Sequence, residues 1–76
     1  MKMPSNHKQH ALNYLRNKAV ADKEQAMMSL DLLLEKAAGI GDHSTEDFAK
    51  NLDEALDLLV DATDRIETLN KHYGQI

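Results

Sequence analysis

The sequence contains no cysteine and no tryptophan, and it has only one proline and three glycines. Without cysteine there can be no disulfide, no thiolate zinc site and no thiol nucleophile. A small domain without disulfides needs some other support for a marginal core, and partner chains are the simplest source. Apolar runs stop at three or four residues, which excludes a transmembrane helix and a signal-peptide core. β-Branched residues are few and no strand-like alternation is visible. With Pro4 at the very start, nothing but glycine interrupts helix formation further along.

What remains is a helix-forming composition. Leu, Ala, Asp, Glu and Lys dominate, with 42% hydrophobic and 29% charged residues. At 76 residues the chain is one small domain. A soluble intracellular protein with no membrane contact is the expectation.

The clearest pattern lies in the second half. Phe48, Leu52, Ala55, Leu59, Ala62, Ile66, Leu69 and Tyr73 follow one another at alternating steps of four and three. That spacing places all eight on one stripe of a helix, the seam of a coiled coil. The opposite face carries Asp47, Asp53, Glu54, Asp57, Asp61, Asp64 and Glu67. Helix two is predicted from about 45 to 73. Ser44 stands as its N-cap, Glu46 and Asp47 sit in the acidic first turn, and Lys71 and His72 in the basic last turn, with Gly74 as the stop.

Helix one is predicted over about residues 7–38, after a polar lead in which Ser5 or Asn6 supplies the cap. Gly39, followed by Ile40, has the form of a helix terminator, and the turn spans about 39–44. So short a connection makes the two helices antiparallel neighbours. The fold class is therefore all-α: a single domain over 1–76 built as a long antiparallel αα-hairpin.

The apolar pattern of helix one is broader. Leu12, Leu15, Ala19, Ala26, Leu30, Leu33, Leu34 and Ala37 form its main face, widened by Val20 and Met27. A second row, Tyr14, Ala21, Met28 and Leu32, lies on nearly the opposite side. A hairpin needs only one stripe per helix, so the second row points to a further neighbour. Two hairpins joined with twofold symmetry into a four-helix bundle would supply it. The expected oligomer interface combines Tyr14, Ala21, Met28 and Leu32 with Leu52, Ala55, Leu59, Ala62 and Ile66.

Chemistry-bearing patterns are sparse. His7 and His10 stand three residues apart but lack a third ligand, and His43 and His72 lie at opposite ends of helix two. The hairpin would bring His72 near His7 or His10. Asp53, Asp57, Asp61 and Asp64 form a row without the glycine turn of a calcium loop, and read as a solvated acidic face. Glu-x-x-His pairs, phosphate loops and nucleophile elbows are missing. No enzyme activity, catalytic residue, metal site or cofactor is expected. Formal net charge is -4, with Lys2, Lys8, Arg16, Lys18 and Lys23 in the first third and eleven of the thirteen acids beyond Glu24. The basic start, with Tyr14 for stacking, gives an alternative nucleic-acid reading.

The stretch from Ser29 to Leu69, "SLDLLLEKAAGIGDHSTEDF" and then "NLDEALDLLVDATDRIETL", resembles small uncharacterised helical proteins of marine tailed phages, particularly cyanophages related to the T-even type. The resemblance implies a host-cytoplasmic or virion location and carries no activity or residue role. The leading expectation is a homodimeric interaction module, an adaptor, assembly factor or modulator that also engages another protein. A small structural or virion-associated protein is the other alternative.

Overall fold

The computed structural model describes residues 6–35 and 45–74. Two helices make up these segments, α1 (His7–Glu35) and α2 (Thr45–Tyr73), packed against each other. Each has 29 residues, a length of about 43 Å at 1.5 Å per residue. Arg16 bonds to Asn70 and Asp22 to Arg65, so numbers rise along one helix as they fall along the other. The pairing is antiparallel, as the short connection requires. Residues 36–38 of the predicted first helix lie outside the described residues. So do Pro4, Ser5, the Gly39–Ile40 terminator, His43 and Ser44.

The described helix ends follow local chemistry. The Asn6 carbonyl accepts the backbone N–H of His10 at 2.8 Å, the first bond of α1, which puts Asn6 at the N-cap position. At the other end of the hairpin's sequence, Gly74 adopts φ +71 immediately after α2. That left-handed conformation closes a helix readily only in a residue without a Cβ. The two helices differ in their match to the macrodipole. Glu46 and Asp47 begin α2 while Lys71 and His72 end it, whereas α1 has neither an acidic first turn nor a basic last turn.

The deepest positions of the seam are mostly small residues: among the described residues, Ala19, Ala26 and Ala62 have 0% exposure, and Ala55 and Leu69 are the remaining buried positions. Within α2 the heptad stripe behaves as its spacing predicts: Phe48, Leu52, Leu59 and Ile66 are half-buried beside the buried Ala55, Ala62 and Leu69, and only Tyr73 at the end is open. Within α1 the seam is also a four-three repeat, but one that passes through charge. It runs Leu12, Arg16, Ala19, Lys23, Ala26, Leu30, Leu33, all buried or half-buried. The main face expected for helix one was centred too far towards its large apolar residues. Leu15, Val20, Met27 and Leu34, assigned to that face, are exposed, Leu34 at 61%. Ala37 lies outside the described residues.

An alanine seam lets two helices approach closely but shelters little. A buried alanine covers one methyl, worth about 0.8 kcal/mol on the usual scale for a buried carbon. Among the described residues no large side chain is fully buried. The radius of gyration is 17.7 Å, against about 11 Å for a compact domain of this length. The hairpin is a rod.

Candidate interaction surface

The seam has two edges, and they differ in chemistry. On one, Lys18, Asp22, Arg65 and Asp61 form a chain of alternating charge that crosses between the helices. Lys18 Nζ donates to both Asp22 carboxylate oxygens at 2.8 Å. Arg65 Nη2 donates to Asp22 Oδ2 at 2.7 Å and its Nε donates to Asp61 Oδ2 at 3.0 Å. The Asp22 side chain is 13% exposed, so its charge is well enclosed by these partners. The hydrogen bonds from Lys18 and then Arg65 hold the Asp22 carboxyl below the usual carboxylate range, against an opposing effect of burial. The same contact with Asp22 raises the Arg65 guanidinium, which stays charged throughout.

The other edge is largely apolar. Asp22 and Arg65 fix which side of each helix belongs to the charged edge; residues on the far side of each seam must share the opposite one. On α1 these are Val20, Met27 and Leu34, seven residues apart and therefore in one row. On α2 they are Leu52, Leu56, Leu59, Val60 and Thr63. The bond from Arg16 Nη2 to Asn70 Oδ1, 2.7 Å, closes this edge at its polar end. The Nε of Arg16 is buried without a hydrogen-bond partner. That is a real cost of placing a guanidinium in a helix seam.

The residues expected at an oligomer interface divide into three sets. Tyr14, Ala21, Met28 and Leu32 are exposed on α1; Tyr14 lines a cleft with Arg65 and Leu69 of α2, and Leu32 one with Ala55 and Leu58. Leu52, Leu59 and Ile66 are half-buried beside the seam. Ala55 and Ala62 lie inside it, and Ala62 has no surface left for another chain. Sequence reasoning did not pick out Leu56 and Val60 as contact residues, although both are about half exposed. Their signal was present: a heptad stripe already wide enough for one partner helix, with further apolar residues beside it.

The other candidate constellations stay apart or are engaged. His72 and Tyr73 line a shallow cleft with Lys8, Gln9 and Leu12, so the hairpin does bring the end of α2 beside the start of α1. His10 and His72 are exposed. Among the described residues no three His, Cys, Asp or Glu side chains are grouped to hold a metal ion. Asp53, Asp57, Asp61 and Asp64 are exposed along α2, with Asp61 tied to Arg65. Of the cations considered for phosphate contact, Arg16 is turned to Asn70 and Lys18 to Asp22. Lys8 and Tyr14 are exposed, and Lys2 lies outside the described residues. No described helix is long and apolar enough to cross a membrane.

No family model matches the sequence, and no curated protein or solved structure matches it either.

Proposed function

We propose that the protein is a non-enzymatic interaction module that works by associating with other helices, first of all those of a second copy in a four-helix bundle. One observation carries the reading: the hairpin leaves many large apolar side chains open. Its accessible surface is 6046 Å², against about 4,700 Å² for a compact monomer of this mass. The surplus exceeds the roughly 800 Å² per partner of a standard protein interface. The exposed surface includes Tyr14, Leu32, Leu34, Leu56 and Val60, each at least half open. Large apolar side chains left open in this number fit an interaction surface.

An adaptor, an assembly factor and a virion component all fit such a module, and the phage resemblance suits each. Sedimentation equilibrium across micromolar concentrations tests the reading. Mass rising from one chain towards two is the expected result; a helical monomer at every concentration overturns it.

A further inference from the structure

We infer that the apolar edge of the hairpin receives a basic amphipathic helix of another protein, seated between Val20, Met27 and Leu34 of α1 and Leu56 and Val60 of α2. The inference goes beyond self-association and stands without it.

The edge offers a strip of suitable shape. Val20, Met27 and Leu34 recur at seven-residue steps along α1, and Leu56 and Val60 stand one turn apart on α2; all five are at least 40% exposed. From Val20 to Leu34 the strip runs about 21 Å at 1.5 Å per residue, or about four turns of a helix laid along it.

The rim selects the charge of the partner. Rows at seven-residue steps border the strip: Asn17, Glu24 and Asp31 on α1, and Asp53 and Glu67 on either side of Val60 on α2, with all these polar residues exposed. Neither row contains a lysine or an arginine. The described ion pairs join Lys18 and Arg65 to Asp22 and Arg65 to Asp61, which leaves Glu24, Asp31, Asp53 and Glu67 without a cation. The seam cations of α1, Arg16 and Lys23, are half-buried, and Arg16 is turned to Asn70. A second copy on this edge would set four more acids against these four, and like charges repel. A helix with an apolar stripe flanked by lysine or arginine would cover the strip and neutralise both borders, as amphipathic helices do in apolar grooves.

The other surfaces fit such a helix less well. On the opposite edge the two helices share clefts, one lined by Tyr14, Leu15 and Leu69 and one by Leu32, Leu33 and Leu58. Asp22 and Asp61 fall between the clefts along α1 and α2, and Lys18 and Arg65 line the first. A helix laid along both would have to desolvate that ion chain. Its charges already satisfy one another, so they favour neither sign of partner. On the outer face of α2, Asp57 and Asp64 share their row with Lys50 and Lys71 and with no apolar residue.

The probe is a labelled synthetic peptide of leucine and lysine, about five helical turns or 18 residues long, with leucine at steps of three and four. Its controls are the same pattern with glutamate in place of lysine, and a scrambled leucine–lysine peptide without a stripe. Binding to the full chain is read by fluorescence anisotropy at low and high salt. Circular dichroism confirms that each variant is helical.

The striped lysine peptide should bind, the scrambled one should bind more weakly, and the glutamate one should not bind. Affinity should fall as salt rises. Met27→Gln together with Val60→Gln should raise the Kd at least about fivefold, from the lost burial of two apolar side chains. Met28 points about 100° away from Met27 around α1. Met28→Gln should leave the Kd within about twofold, as for a surface change remote from the contact. Glu24→Gln with Glu67→Gln should flatten the salt dependence more than Asp57→Asn with Asp64→Asn.

No preference for the striped lysine peptide would overturn the inference. So would equal effects of the Met27/Val60 and Met28 variants, or equal effects of the two neutralised acid pairs. A dimer of the protein alone that Met27→Gln with Val60→Gln disrupts in sedimentation equilibrium would give the edge to a second copy and overturn it too. A chain that stays monomeric yet binds the striped peptide at this edge would uphold the inference while self-association failed.

Discussion

Arg65 reaches from α2 to Asp22 on α1 at 2.7 Å, and Lys18 holds the same carboxylate from one turn away. One acid thus receives two cations, one local and one from the facing helix. The local bond steadies α1. The cross-helix bond couples the helices, and its stability contribution depends on Asp22 being ionised.

That dependence has a definite pH sign. The Asp22 carboxyl lies below its ordinary value of 3.8 in the folded hairpin. The stabilisation is therefore fully present above the unfolded value and is lost as pH falls through the lower, folded one. Melting curves of the wild type and Asp22→Asn should differ most above about pH 4, near the unfolded carboxyl value, and converge under more acidic conditions. Parallel pH profiles down to the acid limit would show that the contact contributes nothing in solution.

The alanine seam should resist enlargement. Ala26→Leu puts a branched side chain where α1 and α2 leave no accessible surface. Overpacking of this kind costs about 1–3 kcal/mol. Urea denaturation should show a lower midpoint; a higher one would mean that the helices separate without penalty.

Lys23 sits at a seam position between Ala19 and Ala26 and is half-buried. Replacing it with leucine should stabilise the hairpin by about 1 kcal/mol, from partial burial of a leucine side chain. The change should also weaken the specificity of helix pairing, since a polar seam residue selects register at some expense in stability. Thermal melting reads the first effect. The second appears as oligomers larger than the wild type's on size-exclusion chromatography.

Gly74 gives a backbone prediction. At φ +71, an added Cβ would meet no neighbouring atom within 4 Å, so any penalty comes from the backbone conformation alone. Gly74→Ala should weaken the end of α2 by about 1–2 kcal/mol. Amide exchange should quicken in the last turn, around Asn70 to Tyr73, and remain unchanged in the middle of the helix.

The two helices were not equally legible. In α2 every step of the seam from Phe48 to Leu69 is apolar, so period and packing agree, and the structure buries or half-buries each of those residues. In α1 the same period runs through Arg16 and Lys23, and a reading based on hydrophobicity steps aside to Leu15 and Leu34. The aliphatic stems of Arg and Lys can line an apolar seam while their heads reach out of it. Arg16 does so only in part: its Nη2 reaches Asn70 while its Nε stays buried. Counting four-three steps without regard to polarity would have found the α1 seam. The second apolar row of α1 was visible from sequence. The apolar edge was less so, because it exists only once Asp22 and Arg65 show which sides of the helices adjoin.

The lack of any fully sheltered large side chain among the described residues bears on calorimetry. Heat capacity rises on unfolding because apolar surface meets water, by about 12–15 cal/mol/K per residue in ordinary globular domains. A lone hairpin that only half-buries most of its large seam residues has less such surface to release. Its increment should fall below that range and its melt should be broad, with sharp unfolding returning only when chains are concentrated enough to pair.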